Sequence, residues 1–477
     1  YASLQANTTS NNNTGLGSKS LRTNTTGAGN TAVGTESLHD NTTGSNNTAV
    51  GENALANNTT AGENTAVGQN ALLTNTTGAN NVSMGHDSLR LNTTGQLNTG
   101  VGYDALRANT TGTENSAFGA NALDANTTGI RNVAIGYQAL TGNTEGGNST
   151  ALGYAALLVN TTGESNVALG SGTLLSNTTA DYNTAVGTNA MLLNTTGTQN
   201  VAVGTFALDA CTTSGSNTAI GYGALGSLTT SGGGNTAVGT NSLLSCTTGD
   251  SNSALGFECL EKVTTGIHNT GLGYRAGFTQ TTGSYNVTVG NFTGDAITTG
   301  TDNTFLGYGC GSGATTATNC VVIGESAGNT LTVGDYCVLV GAETNVDTGD
   351  SQSRIGIGFN LSLTTDNSVR IGSGGNFISN TFTSNATWSH SSDERLKENI
   401  NDDSLGLSFI NDLRPVTFNW KEQKDVPEEI RDTFEKDTKN LQHGMLAQEV
   451  KAALDKAGVD TFAGWSEEKD GIQMISE

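Results

Sequence analysis

The motif Asn-Thr-Ala-Val-Gly returns along this chain with a period of 17 residues, and this period constrains the fold more than any other feature. A leucine follows the closing glycine four residues later in most copies, and Asn-Thr-Thr-Gly begins three residues after the leucine. The closing glycines are Gly17, Gly34, Gly51, Gly68, Gly85, Gly102, Gly119, Gly136, Gly153, Gly170, Gly187, Gly204 and Gly221, then, after one inserted residue, Gly239, Gly256, Gly273, Gly290, Gly307, Gly324, Gly341 and Gly358. A fixed period over most of a chain indicates a repeat architecture, in which each unit stacks on its neighbours.

The three residues before each closing glycine have the composition of a short β-strand. The last of them is apolar in every copy, the middle one is mostly alanine, and the first is mostly Thr, Ser, Val or Ile. Because both faces of such a strand are small or apolar, we expect both to be covered, and we count the column of Val186 among the inner ones. A coil of 17 residues has no room for a helix and a return strand. The sequence therefore predicts an all-β fold, a parallel β-solenoid (β-roll) of about 21 coils that are spaced about 4.8 Å apart.

Two further columns predict the interior of each coil. The asparagine that opens the motif, as at Asn30, is replaced by Cys320 and Cys337, and the asparagine of Asn-Thr-Thr-Gly is replaced by Cys211 and Cys246. A column that accepts Asn or Cys is typical of a buried, tightly shaped position, where stacked amides bond along the ladder. Equivalent cysteines on adjacent coils point in parallel and suit a disulfide poorly, so we expect unpaired thiols. The cysteine spacing fits no metal site, and we predict neither a metal nor a cofactor.

The Asn-Thr-Thr-Gly segments allow more than one interpretation. Asn and Gly are turn residues, and Asn-Thr-Thr is also a sequon for N-glycosylation. Because the segment recurs at the same position of successive coils, a turn is the favoured interpretation over glycosylation. Stacked threonines are also typical of ice-binding solenoids, but adjacent threonines in a strand point to opposite faces, and an ice-binding face would need Thr-x-Thr.

The column of leucines changes near residue 274. The fourth residue after the glycine is leucine up to Leu260, apart from Met191, and the next four coils place Gly277, Gly294, Gly311 and Gly328 there. We therefore expect a thinner or differently packed cross-section from about residue 274 onward.

The net charge of -23 disfavours nucleic acid as a partner, because phosphate binding needs clustered Lys and Arg. The chain has no apolar stretch of the ~18 residues that a membrane span requires, so we predict no membrane insertion.

The sequence changes character after Gly372. All three tryptophans and both prolines lie beyond this point, and charged residues become dense. We predict a shaft over residues 1–372, a connector over 373–391 and a second domain over 392–477. Within the second domain we expect a short helix capped by Asp403 or Ser404 and ending at Ile410. We then expect a strand over Arg414 to Trp420 and an exposed charged insertion over 421–440. A helix should follow from Leu446 to Ala457 and end at Gly458.

Three segments of the second domain carry a resemblance. The segments are, in order, SSDERLKENI (Ser391 to Ile400), LRPVTFNWK and HGMLAQEV (His443 to Val450). In sequence and order they resemble the C-terminal intramolecular chaperone domain of endosialidases and other phage tail fibres and spikes. The resemblance implies a small α+β domain that trimerises, guides the folding of the upstream fibre and cleaves itself off. It places a nucleophile at Ser392 and its base at Lys397, with the cut between Ser392 and Asp393.

His443 is a second candidate for assisting that cleavage, and an ordinary packed histidine explains it equally well. The long C-terminal helix of this family is missing after Glu477, so we expect the chain to be truncated there. The repeat pattern at Ser3 and Leu4 likewise leads us to expect a longer shaft before Tyr1.

The repeats resemble, more loosely, the heads of trimeric autotransporter adhesins, which implies a homotrimer with three rolls side by side. The sequence-based hypothesis is a trimeric virion fibre, a tail fibre or side fibre, which is extracellular, joins virion components upstream and binds a host cell-surface glycan or protein receptor. A bacterial cell-surface adhesin remains the alternative. A glycan depolymerase is a second alternative, but it would need two carboxylates about 5 to 9.5 Å apart in a cleft, and the repeats contain no long insertion to build one. We therefore predict no enzyme activity beyond self-cleavage.

Overall fold

The computed structural model describes residues 2–382, 405–419, 421, 441–460, 465–467 and 473–475. The chain divides into two compact units, residues 1–390 and residues 391–477. The first unit is the shaft of repeats, and the second contains the three segments singled out above.

The strands of the shaft are short and follow the repeat. They are β1 Thr14–Leu16, β2 Thr31–Val33, β3 Thr48–Val50, β4 Thr65–Val67, β5 Val82–Met84, β6 Thr99–Val101, β7 Ser116–Phe118, β8 Val133–Ile135, β9 Thr150–Leu152, β10 Val167–Leu169, β11 Thr184–Val186, β12 Val201–Val203, β13 Thr218–Ile220, β14 Thr236–Val238, β15 Ser253–Leu255, β16 Thr270–Leu272, β17 Val287–Val289, β18 Thr304–Leu306, β19 Val321–Ile323, β20 Val338–Val340, β21 Asn345–Val346, β22 Arg354–Phe359, β23 Ser362–Leu363, β24 Ser368–Ser373 and β25 Asn376–Thr381.

Equivalent residues of successive coils are paired in parallel, which confirms the predicted solenoid. The register places Thr48 opposite Thr65, and the same parallel pairing runs through β1 to β20, β22 and β24. Hydrogen bonds also join the turns of neighbouring coils, so the backbone groups are satisfied around much of each coil. The last strand of this sheet, β25, pairs antiparallel with β24. It lies within the predicted connector 373–391, so regular structure continues beyond Gly372.

The interior of each coil is narrow. It is filled by the middle residue of the strand, such as Ala185, and by the leucine of the following turn, both fully buried. Val186 and its equivalents are half-buried or exposed, and they point outward with the first strand residue. The prediction that the column of Val186 is an inner one is therefore wrong for the single chain. In a strand only alternate residues share a face, and the small alanine is the one that fits inside.

The leucines of the turn adopt a backbone conformation that the sequence did not reveal. Leu72 has a φ of 52°, and the equivalent residue is left-handed in each coil from Leu21 to Leu260. This conformation costs an L-residue roughly 1–2 kcal/mol. Full burial of a leucine side chain contributes about 1.5–3 kcal/mol, which offsets the backbone cost.

The closing glycines are required by close approach between coils. Gly187 has a φ of 129°, and a Cβ atom there would lie 2.7 Å from the carbonyl carbon of Gly204 in the next coil. A side chain at this position would collide with backbone, which cannot move aside. The closing glycine recurs in every coil because the backbones of stacked coils approach too closely there for a side chain.

The core is repacked where the leucine column ends. The buried apolar residues form two clusters, one from Leu21 to Ala276 and one from Ile297 to Leu363. In the second cluster the middle strand position is enlarged, as at Phe305, and the left-handed position is glycine. A Cβ atom at Gly311 would lie 2.6 Å from the Phe305 ring. The later coils thus move core volume from the turn to the strand, a change of packing and not simply a thinning.

Because core volume is exchanged between Phe305 and Gly311, we expect substitutions at these two residues to have coupled effects on stability. Phe305→Ala alone should destabilise the shaft by about 3–5 kcal/mol, because it opens a cavity. Gly311→Leu alone should also destabilise it, because the new side chain meets the ring. The double variant restores the Ala and Leu pair of earlier coils, such as Ala202 and Leu208, and should melt above the temperature expected from adding the two single effects. Thermal melts of the four proteins measure this; simple additivity would contradict the exchange.

Asparagine ladders line two corners of the coil, as the sequence predicts. Asn109 donates from Nδ2 to Asn92 Oδ1 at 2.7 Å and to the Gly112 carbonyl at 3.0 Å. In the motif column, Asn47 Oδ1 accepts from the Asn64 backbone N–H at 3.0 Å. The ladder of the Asn-Thr-Thr-Gly segments is buried from Asn24 to Asn194, so these amides serve the fold and have no space for a glycan.

All six cysteines are buried and none forms a disulfide, which confirms the expectation of free thiols. Burial raises the pKa of the Cys211 thiol to about 11 and that of Cys259 to about 12, which keeps both protonated. Cys320 and Cys337 differ, because they contact each other on adjacent coils. A hydrogen bond between the two thiols lowers the pKa of Cys337 and raises that of Cys320.

The described part of the second unit contains helices α1 Leu407–Asp412 and α2 Ala447–Ala457 and strands β26 Val416–Phe418, β27 Gln442–Gly444, β28 Trp465–Glu467 and β29 Gln473–Ile475. The predicted helix closed by Gly458 is confirmed, and Gly458 takes the left-handed conformation. The shorter helix has Gly406 as its N-cap, so neither Asp403 nor Ser404, which lie outside the described residues, occupies that position. The predicted strand is reduced to β26.

Candidate functional sites on the second unit and the shaft

The predicted cleavage site lies outside the described residues. Ser392, Asp393 and Lys397 all fall within 383–404, for which the structure gives no geometry. The dyad therefore remains a prediction that rests on the sequence motif. The predicted charged insertion also lies almost entirely outside the described residues.

His443 is described, and it sits in a strand. It pairs with Thr417 in the antiparallel sheet of β26 and β27, and it is exposed to solvent. The structure therefore does not bury His443 as an ordinary core histidine, and its position relative to Ser392 is outside what is described.

An ion pair joins the segment before β26 to helix α2. Arg414 Nε donates to Glu449 Oε2 at 3.1 Å, and Nη2 contacts the other carboxylate oxygen. The Arg414 guanidinium lowers the pKa of the Glu449 carboxyl through this hydrogen bond. Both residues belong to the motifs that carry the resemblance, and the pair gives them a structural role in holding the two motifs together.

The second unit has a small core and an apolar surface. Phe409 packs with Val450, Ala453 and Leu454. Large apolar side chains are nevertheless exposed around it: Leu407, Ile410, Leu441, Met445 and Leu446. Among the described residues of this unit, large apolar side chains that are exposed outnumber those that are buried, which is typical of a surface that another segment or chain covers.

A comparison with protein-family models finds a match within this unit. Residues 392–459 match the model described as chaperone of endosialidase. This chaperone segment, 392–459, contains the predicted dyad, the Arg414 and Glu449 pair, and α2. It confirms the resemblance drawn from the sequence motifs. No curated protein matches the chain.

The outer face of the shaft is the second candidate surface. The column directly before the closing glycines is apolar throughout, and it points away from the coil interior. Leu16 is 66% exposed and Leu255 is 50% exposed. The exposed members are Leu16, Val50, Met84, Phe118, Ile135, Leu152, Leu169, Ile220, Leu255, Leu272, Leu306, Ile357 and Ile371. We call this column, together with the Thr and Val column two residues earlier, the outer strand face.

Aromatic residues follow the outer strand face at several coils. Tyr137 and Tyr154 stack with centroids 5.7 Å apart, and Phe257 stacks on Tyr274 at 5.6 Å. These rings lie one residue beyond the closing glycine, a column that also contains Glu52 and Glu325. The mixed character of that column differs from the uniformly apolar column beside it.

Neither helix in the described ranges is long and apolar enough to cross a membrane.

Proposed function

We propose that this chain is a structural fibre protein of a virion, a tail fibre or side fibre, that assembles as a homotrimer and attaches to a host surface. A β-solenoid joined to an endosialidase chaperone segment fits a phage tail fibre. The observation that carries the assembly is the outer strand face. Its column before the closing glycines is apolar along the shaft and is exposed or half-buried in the single chain, and its other column is mostly Thr and Val.

The size of this face supports self-association. About 20 coil intervals of about 4.8 Å give a length near 100 Å, and two strand columns give a width of about 10 Å. The resulting area of about 1,000 Å² per chain is of the order of the ~800 Å² that each partner buries in a standard stable interface, and in a trimer each chain divides it between two neighbours. A second and third copy of the chain present the same columns at the same spacing, so a parallel trimer brings the apolar columns before the closing glycines together along the shaft.

The role of the chaperone segment follows from the folding problem. A parallel solenoid has non-local contacts between every pair of coils, and three identical chains can pair out of register by whole coils. A unit that brings the three chains together at one end sets the register before the shafts close. The exposed apolar residues of this unit, such as Leu407 and Ile410, are available for such contacts.

Self-cleavage would then release the chaperone after assembly. Lys397 would accept the proton of the Ser392 hydroxyl, since a lysine that packing removes from water holds its proton less tightly. Attack by a serine hydroxyl on the carbonyl of its own residue would close a strained four-membered ring. A neighbouring chain's serine is therefore the better nucleophile for the bond between Ser392 and Asp393. Its attack would form an ester with the Ser392 carbonyl and release the Asp393 amine, which takes the proton from Lys397, and water would then hydrolyse the ester to a carboxylate. A nucleophile from a neighbouring chain couples the cut to trimer formation.

Replacement of the dyad tests this step. In the complete gene product, Ser392→Ala and Lys397→Ala should each leave an intact chain that still trimerises. The wild type should split between Ser392 and Asp393. Ser391→Ala changes the adjacent serine and serves as the matched control, which should cleave normally. Denaturing gels with intact-mass spectrometry distinguish the products. Equal cleavage in wild type and Ser392→Ala would remove the dyad, and an uncut wild type would leave only the chaperone role.

The host-attachment part of the proposal has its own test. The purified trimer should bind host cells and compete with the virion for adsorption, while unfolded chain should not. If the assembled trimer does not bind host cells, the chain would act only as a spacer.

A further inference from the structure

One cluster of side chains on the shaft has the composition of a metal site. His86 and Asp87 follow the closing glycine after β5, and Asp104 stands at the equivalent place on the next coil. One ligand atom from each of the three lies within 4.8 Å of the other two. It is the only such group among the residues that the structure describes.

The two carboxylates of this cluster belong to one column. Asp87 and Asp104 are each the second residue after a closing glycine, and the neighbouring coils place Asn70 and Asn121 there. Both aspartates are buried, each 9% exposed. Like charges stacked on adjacent coils repel each other, and burial strengthens the repulsion. A positive charge near Asp87 and Asp104 would offset this repulsion.

Asp87 has direct polar partners on the protein, whereas Asp104 interacts with Arg107 only through space. Asp87 Oδ1 accepts from Asn70 Nδ2 at 2.9 Å, and Asp87 Oδ2 lies 3.3 Å from Arg90 Nη1 and 3.7 Å from His86 Nδ1. Asp104 Oδ1, in contrast, is buried and has no hydrogen-bond partner.

The nearest arginine equivalent does not serve Asp104. Arg107 directs its guanidinium to Asp124, with Nε to Oδ1 at 2.8 Å and Nη2 to Oδ2 at 3.2 Å. A buried carboxylate oxygen without a partner costs more than any ordinary polar contact in this shaft. This unpartnered oxygen is an observation independent of the acidic composition of the cluster.

We propose that His86, Asp87 and Asp104 bind one divalent first-row transition-metal ion, such as Zn²⁺. Imidazole nitrogen and carboxylate oxygen together suit such ions, with bonds of about 2.0–2.2 Å. Ligand atoms bound to one ion at these distances lie about 3–4 Å apart, so the three ligand atoms, which lie within 4.8 Å of one another, would draw closer on binding. The ion would neutralise the stacked aspartates and would give the Asp104 carboxylate a partner.

The neighbouring ring supports the orientation of the histidine. Tyr103 stacks on His86 with centroids 5.4 Å apart and an interplanar angle of 11°. Because Tyr103 directly precedes Asp104, the stack keeps the imidazole beside the second carboxylate. The bound ion would link side chains of two successive coils, and it would act as a local clamp on the shaft.

The test measures Zn²⁺ bound to the full chain, without a histidine tag, by equilibrium dialysis. The wild type should bind one more equivalent than Asp104→Asn, and it should melt at a higher temperature with Zn²⁺ than without. Asp104→Asn should show no such rise from this site. Asparagine already occupies this column at Asn70 and Asn121, so the variant is expected to fold.

His39 provides the matched control. His39 Nδ1 lies 2.7 Å from Asp40 Oδ1, but this pair has no third metal ligand within the described residues. His39→Gln should therefore leave Zn²⁺ binding unchanged, whereas His86→Gln should reduce it as Asp104→Asn does. Equal Zn²⁺ binding by wild type, Asp104→Asn and His86→Gln, or no Zn²⁺ binding by wild type, would overturn the proposal. Either result would leave the fibre function unaffected.

Discussion

Asn109→Asp should prevent the shaft from folding, although it changes only one side-chain group. The Asn109 amide is fully buried, donates to Asn92 Oδ1 and to the Gly112 carbonyl, and accepts from Asn126 Nδ2 at 2.8 Å. A carboxylate keeps the acceptor and replaces both donated bonds by contacts between oxygens. The cost of a buried, unpaired charge is at least about 3 kcal/mol, and it recurs in every chain of an oligomer.

A matched control separates this effect from added charge. Thr111, two residues further along, is exposed, and the equivalent residue of a later coil is Glu145. Thr111→Glu should therefore fold and melt like the parent. Circular dichroism melts and soluble yield compare the three proteins. Asn109→Asp with the melting temperature of the parent would mean that this asparagine column is not inside the coil.

Val186→Asp should separate the chains without unfolding them. Val186 lies on the outer strand face and is only half-buried in the single chain, so its coil tolerates a charge. In the proposed trimer, three carboxylates would meet in an apolar interface with no cation to pair them. We expect loss of the trimer, with retained β-sheet signal.

Two neighbouring positions provide the controls. Ala185→Asp points the same charge into the fully buried interior and should prevent folding altogether. Thr188→Glu places charge in the exposed column where Glu52 and Glu325 already stand, and it should change neither folding nor assembly. Size-exclusion chromatography combined with circular dichroism distinguishes the three results. A trimeric Val186→Asp variant would show that this face is not the interface.

The sequence predicted the solenoid because both its 17-residue period and the residue types in each column follow from coils that stack in register. A column that accepts Asn or Cys but no Lys or Glu identified the buried corners, and the structure places the Asn ladders there. The orientation of Val186 was predicted wrongly, because an apolar column on the outer face of a coil has the same sequence signature as one in its interior. The composition of a column alone does not say whether the chain itself covers it.

Two other features could not be found from the sequence. The left-handed leucines, such as Leu72, have no composition signal, because leucine normally avoids that conformation. The cluster of His86, Asp87 and Asp104 became visible only when the register brought residues 17 positions apart together. Residue spacing alone, without the coil register, does not indicate such a ligand set. The cleavage dyad rests on the motif around Ser392 and on the family match.

The assembly state is the most direct test of the fibre proposal. Sedimentation equilibrium of the full chain carrying Ser392→Ala, which removes any effect of cleavage on mass, should give three times the chain mass of 48.6 kDa. The same measurement on Val186→Asp should give the mass of one chain. A parent protein that sediments as a folded single chain of 48.6 kDa would contradict the account, because the outer strand face would then have no partner.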